Sequence, residues 1–190
     1  MKAIQVMALA AVWGAAGAGT IRAAGLGETP FSFTYDGKAA DVSHWQRGAI
    51  AATDAPELAR PGGQLDRRAR TWTDRATGLR VVMASARYEH GAREWVLSFQ
   101  NTGQINTPLI EDIQALDVVV PLPGDACTVH HSLGDRNSAD SFRPLADALT
   151  PNGELKLAPV GGRSSDGHMP YFNLQHSAGG LAIAIGWSGQ

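Results

Sequence analysis

Short runs in which apolar and polar residues alternate, each cut off by a turn signal, recur along this chain and leave little room for helices. Phe31, Phe33 and Tyr35 alternate with Ser32, Thr34 and Asp36, after which Asp36-Gly37 turns the chain. Trp95, Leu97 and Phe99 alternate with Val96, Ser98 and Gln100, and Asn101-Thr102-Gly103 closes that run. A period of two sends one set of side chains to a core and the other to the opposite face of a sheet. Residues 79–89, 109–113, 116–122, 128–133, 155–158, 171–175 and 181–187 supply further strand candidates, and Thr71 to Asp74 ends a short one. Residues 49–70 carry Pro56, Pro61, Gly62 and Gly63 and read as a long loop or edge region. A helical turn is expected only within 139–149. Strands without βαβ alternation predict an all-β fold: a large, supersandwich-like antiparallel β-sandwich with few or no helices.

The 190 residues suit one domain, since all-β domains run somewhat beyond the common ~100–150 residues. Hydrophobic residues at 44% and charged ones at 18% exclude a disordered chain. A net charge of −2 without a basic stripe gives no support to nucleic-acid or anionic-membrane partners. The lone Cys127 excludes an intrachain disulfide framework. Residues 1–18 read as a secretory signal. Lys2 supplies a short positive start, the run that follows is small and apolar apart from Gln5, and Ala16-Gly17-Ala18 fits a small-x-small cleavage site. The run is too short and too rich in Gly and Ala for a membrane span. A domain of residues 19–190, periplasmic or extracellular, is the expected mature product. The chain stops at Ile185-Gly186-Trp187-Ser188-Gly189-Gln190, where a linker into another domain is expected.

Several constellations bear on chemistry. Glu111, Asp112 and Asp117 are the best carboxylate group for glycoside hydrolysis, which needs two carboxyls roughly 5–9.5 Å apart. Glu111 and Asp112 are neighbours on an expected strand, so their side chains should diverge. Cys127, His130 and His131 form a C-x-x-H-H set, but a structural zinc site wants a second pair, and adjacent histidines on a strand face opposite sides. Ser, His and Asp occur without a G-x-S-x-G elbow. Gly161-Gly162-Arg163-Ser164-Ser165 lacks the Walker lysine, yet its backbone can approach a polar ligand while Arg163 and the hydroxyls bond sugar oxygens. Sugars stack their apolar faces on aromatic rings. Trp95 shares its face with Leu97 and Phe99 and reads as core, whereas Trp45, Trp72 and Trp187 are candidate platforms as well as packing residues.

A series of motifs in one order adds to this reading. Pro30-Phe-Ser-Phe-Thr-Tyr-Asp-Gly37, Thr71-Trp-Thr-Asp74, Glu94-Trp-Val-Leu-Ser-Phe-Gln-Asn-Thr-Gly103 and Thr107-Pro-Leu-Ile-Glu-Asp-Ile-Gln-Ala-Leu-Asp117 are followed by His130-His131, Ser138-Ala-Asp-Ser-Phe-Arg-Pro144, Gly161-Gly-Arg-Ser-Ser165, Pro170-Tyr-Phe-Asn-Leu174 and Gly186-Trp-Ser-Gly-Gln190. Over residues 29–190 the series resembles the N-terminal region of bacterial α-galactosidases of glycoside hydrolase family 36, the melibiase-like group. The resemblance implies a non-catalytic β-sandwich that precedes a catalytic (β/α)8 barrel, whose two aspartates perform a retaining hydrolysis of terminal α-galactosides. Such a barrel needs about 250 residues, so it would be supplied in cis or by a partner chain, and this chain would be a truncated or split product, inactive alone. No catalytic residue, metal or cofactor is assigned here. The resemblance implies that sandwich loops border the sugar pocket, sometimes in a neighbouring subunit. The matching substrate-binding positions are Asp140, Arg163, Ser164, Ser165 and Trp187. The expected partners are a galactoside-type carbohydrate, the barrel and, in an oligomer, a second copy. The alternatives are a stand-alone secreted carbohydrate-binding module and, behind it, a small enzyme using Asp112 or Asp117.

Overall fold

The computed structural model describes residues 4–11, 27–55, 58, 64–89, 91–120, 126–163, 165–177 and 179–186, with the backbone alone for 4–11 and 64–65. The fold is all-β and antiparallel. Its strands are β1 (Ile4–Ala11), β2 (Ser32–Tyr35), β3 (Lys38–Ala39), β4 (Gln46–Arg47), β5 (Ala51–Ala52), β6 (Gln64–Thr73), β7 (Leu79–Tyr88), β8 (Arg93–Asn101), β9 (Ile110–Gln114), β10 (Cys127–Ser132), β11 (Pro144–Leu149), β12 (Tyr171–His176) and β13 (Gly179–Ala184). A large sheet runs β11-β10-β12-β13-β1-β8-β7-β6-β4, with β5 also beside β6, and a small sheet runs β3-β2-β9.

The small sheet lies over one face of β6–β8, because the alternating aromatics on both sides need the same dry layer. Phe31 and Phe33 meet Trp72, Val81, Leu97 and Phe99 there. Their rings pack edge to face, Phe33 on Phe99 at 5.2 Å and Phe31 on Trp72 at 5.3 Å, the arrangement the ring quadrupole favours. Trp95 belongs to this layer, as its alternation requires, and its indole Nε1–H donates to the Ala115 carbonyl at 2.8 Å. The opposite face buries Leu58, Ala84, Ala86, Tyr88, Ala92 and Val96. A third cluster gathers Phe172 and Leu174 around Leu181 and Ile183, and Leu116 touches both it and the first cluster.

The β6–β7 turn is set by its sequence. The Asp74 carboxylate accepts from the Ala76 N–H at 3.0 Å and from the Thr77 hydroxyl at 2.7 Å, and the Tyr35 hydroxyl donates to Thr77 Oγ1 at 2.6 Å. Gly78 closes the turn at φ +80°, where a Cβ would stand 2.5 Å from the Gly103 nitrogen. Only glycine fits.

Four expectations are corrected. Residues 64–70 are strand, not loop: β6 pairs with β7 from Gln64↔Tyr88 to Thr73↔Arg80. Residues 144–149 form β11, not a helical turn, because every position from Cys127↔Leu149 to Ser132↔Pro144 pairs with β10. Pro144 opens this edge strand, where its missing N–H costs least. Residues 116–120 are an unpaired crossover anchored by the Asp117 N–H on the Pro30 carbonyl at 2.8 Å. Residues 155–158 are likewise outside any strand. Within the expected leader, Ile4–Ala11 pair with β8 from Ile4↔Phe99 to Ala10↔Arg93 and with β13 from Leu9↔Ala184 to Ala11↔Ala182. Residues 1–3 and 12–18 lie outside the described residues.

Candidate functional site

The β10–β11 connection is held from within. The Ser141 hydroxyl accepts from the Arg136 N–H at 3.0 Å and the Ser138 N–H at 3.2 Å, and donates to Asp135 Oδ1 at 3.3 Å. Asn137 and Phe142 take left-handed backbone at φ 51° and 62°. For a bulky aromatic that is uncommon. Here it accompanies a Phe142 ring that is 56% exposed. Asp140 lies in this loop, its carboxylate 3.8 Å from the Arg143 guanidinium.

The second expected element, residues 161–165, sits in a hairpin-like loop that is described apart from Ser164. The Val160 N–H donates to the Asp166 carbonyl at 2.9 Å, and Arg163 pairs with the Asp166 carboxylate at 3.1 Å. The two loops are stitched together by the Gly134 N–H on the Gly167 carbonyl at 2.9 Å and the Asp135 N–H on the Ser165 carbonyl at 2.8 Å. Gly134 permits this approach, since a Cβ there would lie 1.9 Å from the Ser165 carbonyl oxygen. Asp140, Arg163 and Ser165 therefore belong to one loop pair, while Asp140 and Arg163 are each ion-paired within their own loop. Ser164 and Trp187 lie outside the described residues.

Beside the loop pair is a groove of about 560 Å³, into which Phe142 and Pro144 project from the loop and β11. The register places His130, Asn173 and Ala182 side by side, and Tyr171 beside Ala184. Of these, Ala182 and Ala184 leave a small, apolar stretch in the floor. Tyr171 at 50% exposure and Phe142 offer ring faces. Asn173 and the His130–Gln175 pair, whose Nε2 and Oε1 lie 2.5 Å apart, supply polar edges. Such a combination suits a ligand with apolar faces and hydroxyl rims. The sequence reading missed Phe142, Tyr171 and Asn173 as site residues. The signal was available in the alternation of Tyr171 with Phe172 and of Ala182 with Ile183, which separates groove from core.

The inner face of the same strands holds a different group. His131 Nε2 lies 2.7 Å from Asp147 Oδ2, and the His131 and His168 rings are 5.5 Å apart. Burial, with His131 and Arg136 nearby, holds the His168 imidazole below its usual pKa, while Asp147 opposes the shift. The Nδ1 atoms of both rings are buried without a partner among the described residues. Ser132, next in the chain, alternates to the groove face, so the Asp–His pair is not extended into a Ser–His–Asp triad. By alternation along β10, Cys127 and His131 share one face and His130 lies on the other, which splits the C-x-x-H-H set. No group of three His, Cys, Asp or Glu side chains that can hold a metal forms among the described residues.

The remaining candidates are elsewhere. Trp72 is buried in the aromatic layer, and Trp45 packs on Phe33 and Tyr35 at 6.0 and 5.8 Å. Both are packing residues, not ligand platforms. Glu111, Asp112 and Asp117 are exposed. Asp112 takes φ 47° at an irregularity in the β2–β9 register, so strict alternation does not govern Glu111 and Asp112, and Thr34 Oγ1 donates to the Asp112 carboxylate at 3.3 Å. No described helix is long and apolar enough to cross a membrane.

No family model, no curated protein and no solved structure matches this chain. The fold and loops define an all-β protein of antiparallel, sandwich-like build, bearing a stitched loop pair beside an aromatic-walled groove.

Proposed function

We propose that this chain is the non-catalytic N-terminal β-sandwich domain of an exported α-galactosidase-like glycoside hydrolase, whose stitched loops border the sugar pocket of a catalytic barrel in cis or in a partner chain. The observation that carries the reading is the joining of the Asp140 loop to the Arg163–Asp166 hairpin through Gly134 and Asp135. The loops that carry Asp140, Arg163 and Ser165 are thus joined beside the end of β10 and the start of β12, which supports the reading. The adjacent groove adds exposed rings and amide edges of the kind that sugars use.

A second reading, a stand-alone secreted carbohydrate-binding module, is favoured by the groove itself, which needs no barrel to present Phe142 and Tyr171. Calorimetric titration of the whole chain with α-galactosides, alongside a chromogenic hydrolysis assay, separates the two. The enzyme-domain reading expects no turnover by this chain alone and sugar binding that Arg163→Ala weakens without changing the melting temperature. The module reading expects saturable binding that Phe142→Ala abolishes and Arg163→Ala leaves unchanged. If neither variant affects binding, or no galactoside binds, the proposal fails.

A further inference from the structure

A second concave surface lies away from the groove, on the β6–β8 face that buries Trp72, Val81 and Phe99. Toward the far end of these strands, arginines replace the apolar side chains of that face. The register sets Arg70 beside Met83, Arg68 beside Ser85 and Ser85 beside Trp95, then Asp66 beside Arg87 and Arg87 beside Arg93. Together with Gly27 and Pro30 these residues line a hollow of about 320 Å³.

The charges there do not balance. Like charges directly opposite each other on neighbouring strands destabilise a sheet, and Arg87 and Arg93 are such a pair. Arg93 is half-buried, and burial, with the charges of Arg87 and Arg70, holds its guanidinium below the usual value. The nearby carboxylates have partners other than Arg87 and Arg93. Asp66 pairs with Arg68 at 2.7 Å, and Glu28 pairs with Arg47 at 2.8 Å while reaching Arg70 at 3.6 Å. Glu94 also lines the hollow, and its carboxylate accepts from the buried Tyr88 hydroxyl at 2.6 Å. No ion pair reaches Arg87 or Arg93 among the described residues. Two guanidinium forks without an acceptor, in a concave site, match the geometry of a phosphate, sulfate or carboxylate.

We propose that this hollow binds a small oxyanion between the Arg87 and Arg93 guanidinium groups, with Arg70 at its margin. The inference is independent of the sugar reading. The test is thermal unfolding of the whole chain at constant ionic strength in chloride, phosphate, sulfate or glucuronate. A bound oxyanion raises the melting temperature by roughly 5–10 °C at a hundredfold excess over its Kd. A rise with phosphate or sulfate alone assigns an inorganic or phosphoryl oxyanion, whereas a rise with glucuronate assigns an acid sugar. Arg93→Gln is expected to abolish the rise and to increase the melting temperature in chloride, because it removes one of two opposed charges. Should that variant not fold, Arg87→Gln, at an exposed position, makes the same test. Arg80→Gln, outside the hollow, keeps the full rise. Equal melting temperatures in all four salts, a full rise retained by Arg93→Gln, or a lower melting temperature of Arg93→Gln in chloride would each overturn the proposal.

Discussion

Trp95→Ala probes the layer that holds the two sheets together. Trp95 is 3% exposed, and its indole N–H donates to the Ala115 carbonyl at 2.8 Å on the crossover side of the core. Truncating a buried tryptophan to alanine costs about 3–5 kcal/mol. Of this, about 1–3 kcal/mol comes from withdrawing the donor of a buried carbonyl. Trp95→Phe keeps most of the ring and loses only the donor, so its expected cost is about 1–3 kcal/mol. Whole domains hold only about 5–15 kcal/mol of stability, so the alanine variant approaches the limit of folding. The assay is urea unfolding followed by far-ultraviolet circular dichroism, because the substitution removes a fluorophore. With a slope of ~3 kcal/mol per molar, the midpoint should fall by about 1–1.7 M for alanine and by about 0.3–1 M for phenylalanine. An alanine variant within about 1 kcal/mol of the parent would mean that Trp95 is exposed. A phenylalanine variant as damaging as alanine would refute the division between packing and hydrogen bond.

Gly134→Ala should force the stitched loops apart, since the new methyl would sit 1.9 Å from the Ser165 carbonyl oxygen. A loss of about 1–3 kcal/mol in urea unfolding is expected, with galactoside binding lost alongside. Burial above all, helped by the Asp74 and Asp36 charges and opposed by the Thr77 hydrogen bond, raises the Tyr35 phenol above 10.0. The folded state then holds its proton longer than the unfolded one, so stability is complete below the unfolded pKa and is lost as pH rises past it. Urea midpoints from about pH 9 to 11 should fall for the parent and stay flatter for Tyr35→Phe. His168 behaves in the opposite sense. Its imidazole is held below 6.5 by burial first and by His131 and Arg136 next. As pH falls through 6.5 the unfolded chain takes the proton first, so stability drops on the acid side. In His168→Gln, midpoints measured at about pH 7 and pH 5 should differ less than in the parent.

The alternating aromatic strands were legible because their partners read the same rule: Phe31, Phe33 and Tyr35 alternate, so do Trp95, Leu97 and Phe99, and the two sets share one core, whereas the buried positions of β7 change parity between Met83 and Ala84. The outer half of β6 was not. Its Asp66, Arg68 and Arg70 give no apolar alternation, and only pairing with β7 makes a strand of them. Residues 144–149 combine Leu, Ala and Asp, whose local preferences suit a helix as well as an edge. Non-local pairing with β10 overrides those preferences. Residues 116–120 are the converse case, a β-branched run used as a crossover because Leu116 must serve two cores. The loops around Asp140 and Arg163 could be named from composition, but their meeting depends on Gly134 approaching Ser165, a contact across the chain that no local pattern encodes. The groove was half legible. Alternation marks Tyr171 and Asn173 as one face, whereas the Phe142 ring owes its place to a left-handed backbone that composition does not announce.

Strand β1 joins what are otherwise two half-sheets, since β8 and β13 meet only through it. On the export reading, the same 8 residues are cut away once the chain has crossed the membrane. The precursor would then be sealed, and the mature protein would carry an open seam: two facing rows of unsatisfied N–H and C=O groups, about 10 Å apart, the gap left by one missing strand. A seam of that width excludes globular surfaces and admits an extended segment, so cleavage would change what the molecule can clasp without altering a single residue of the domain that remains.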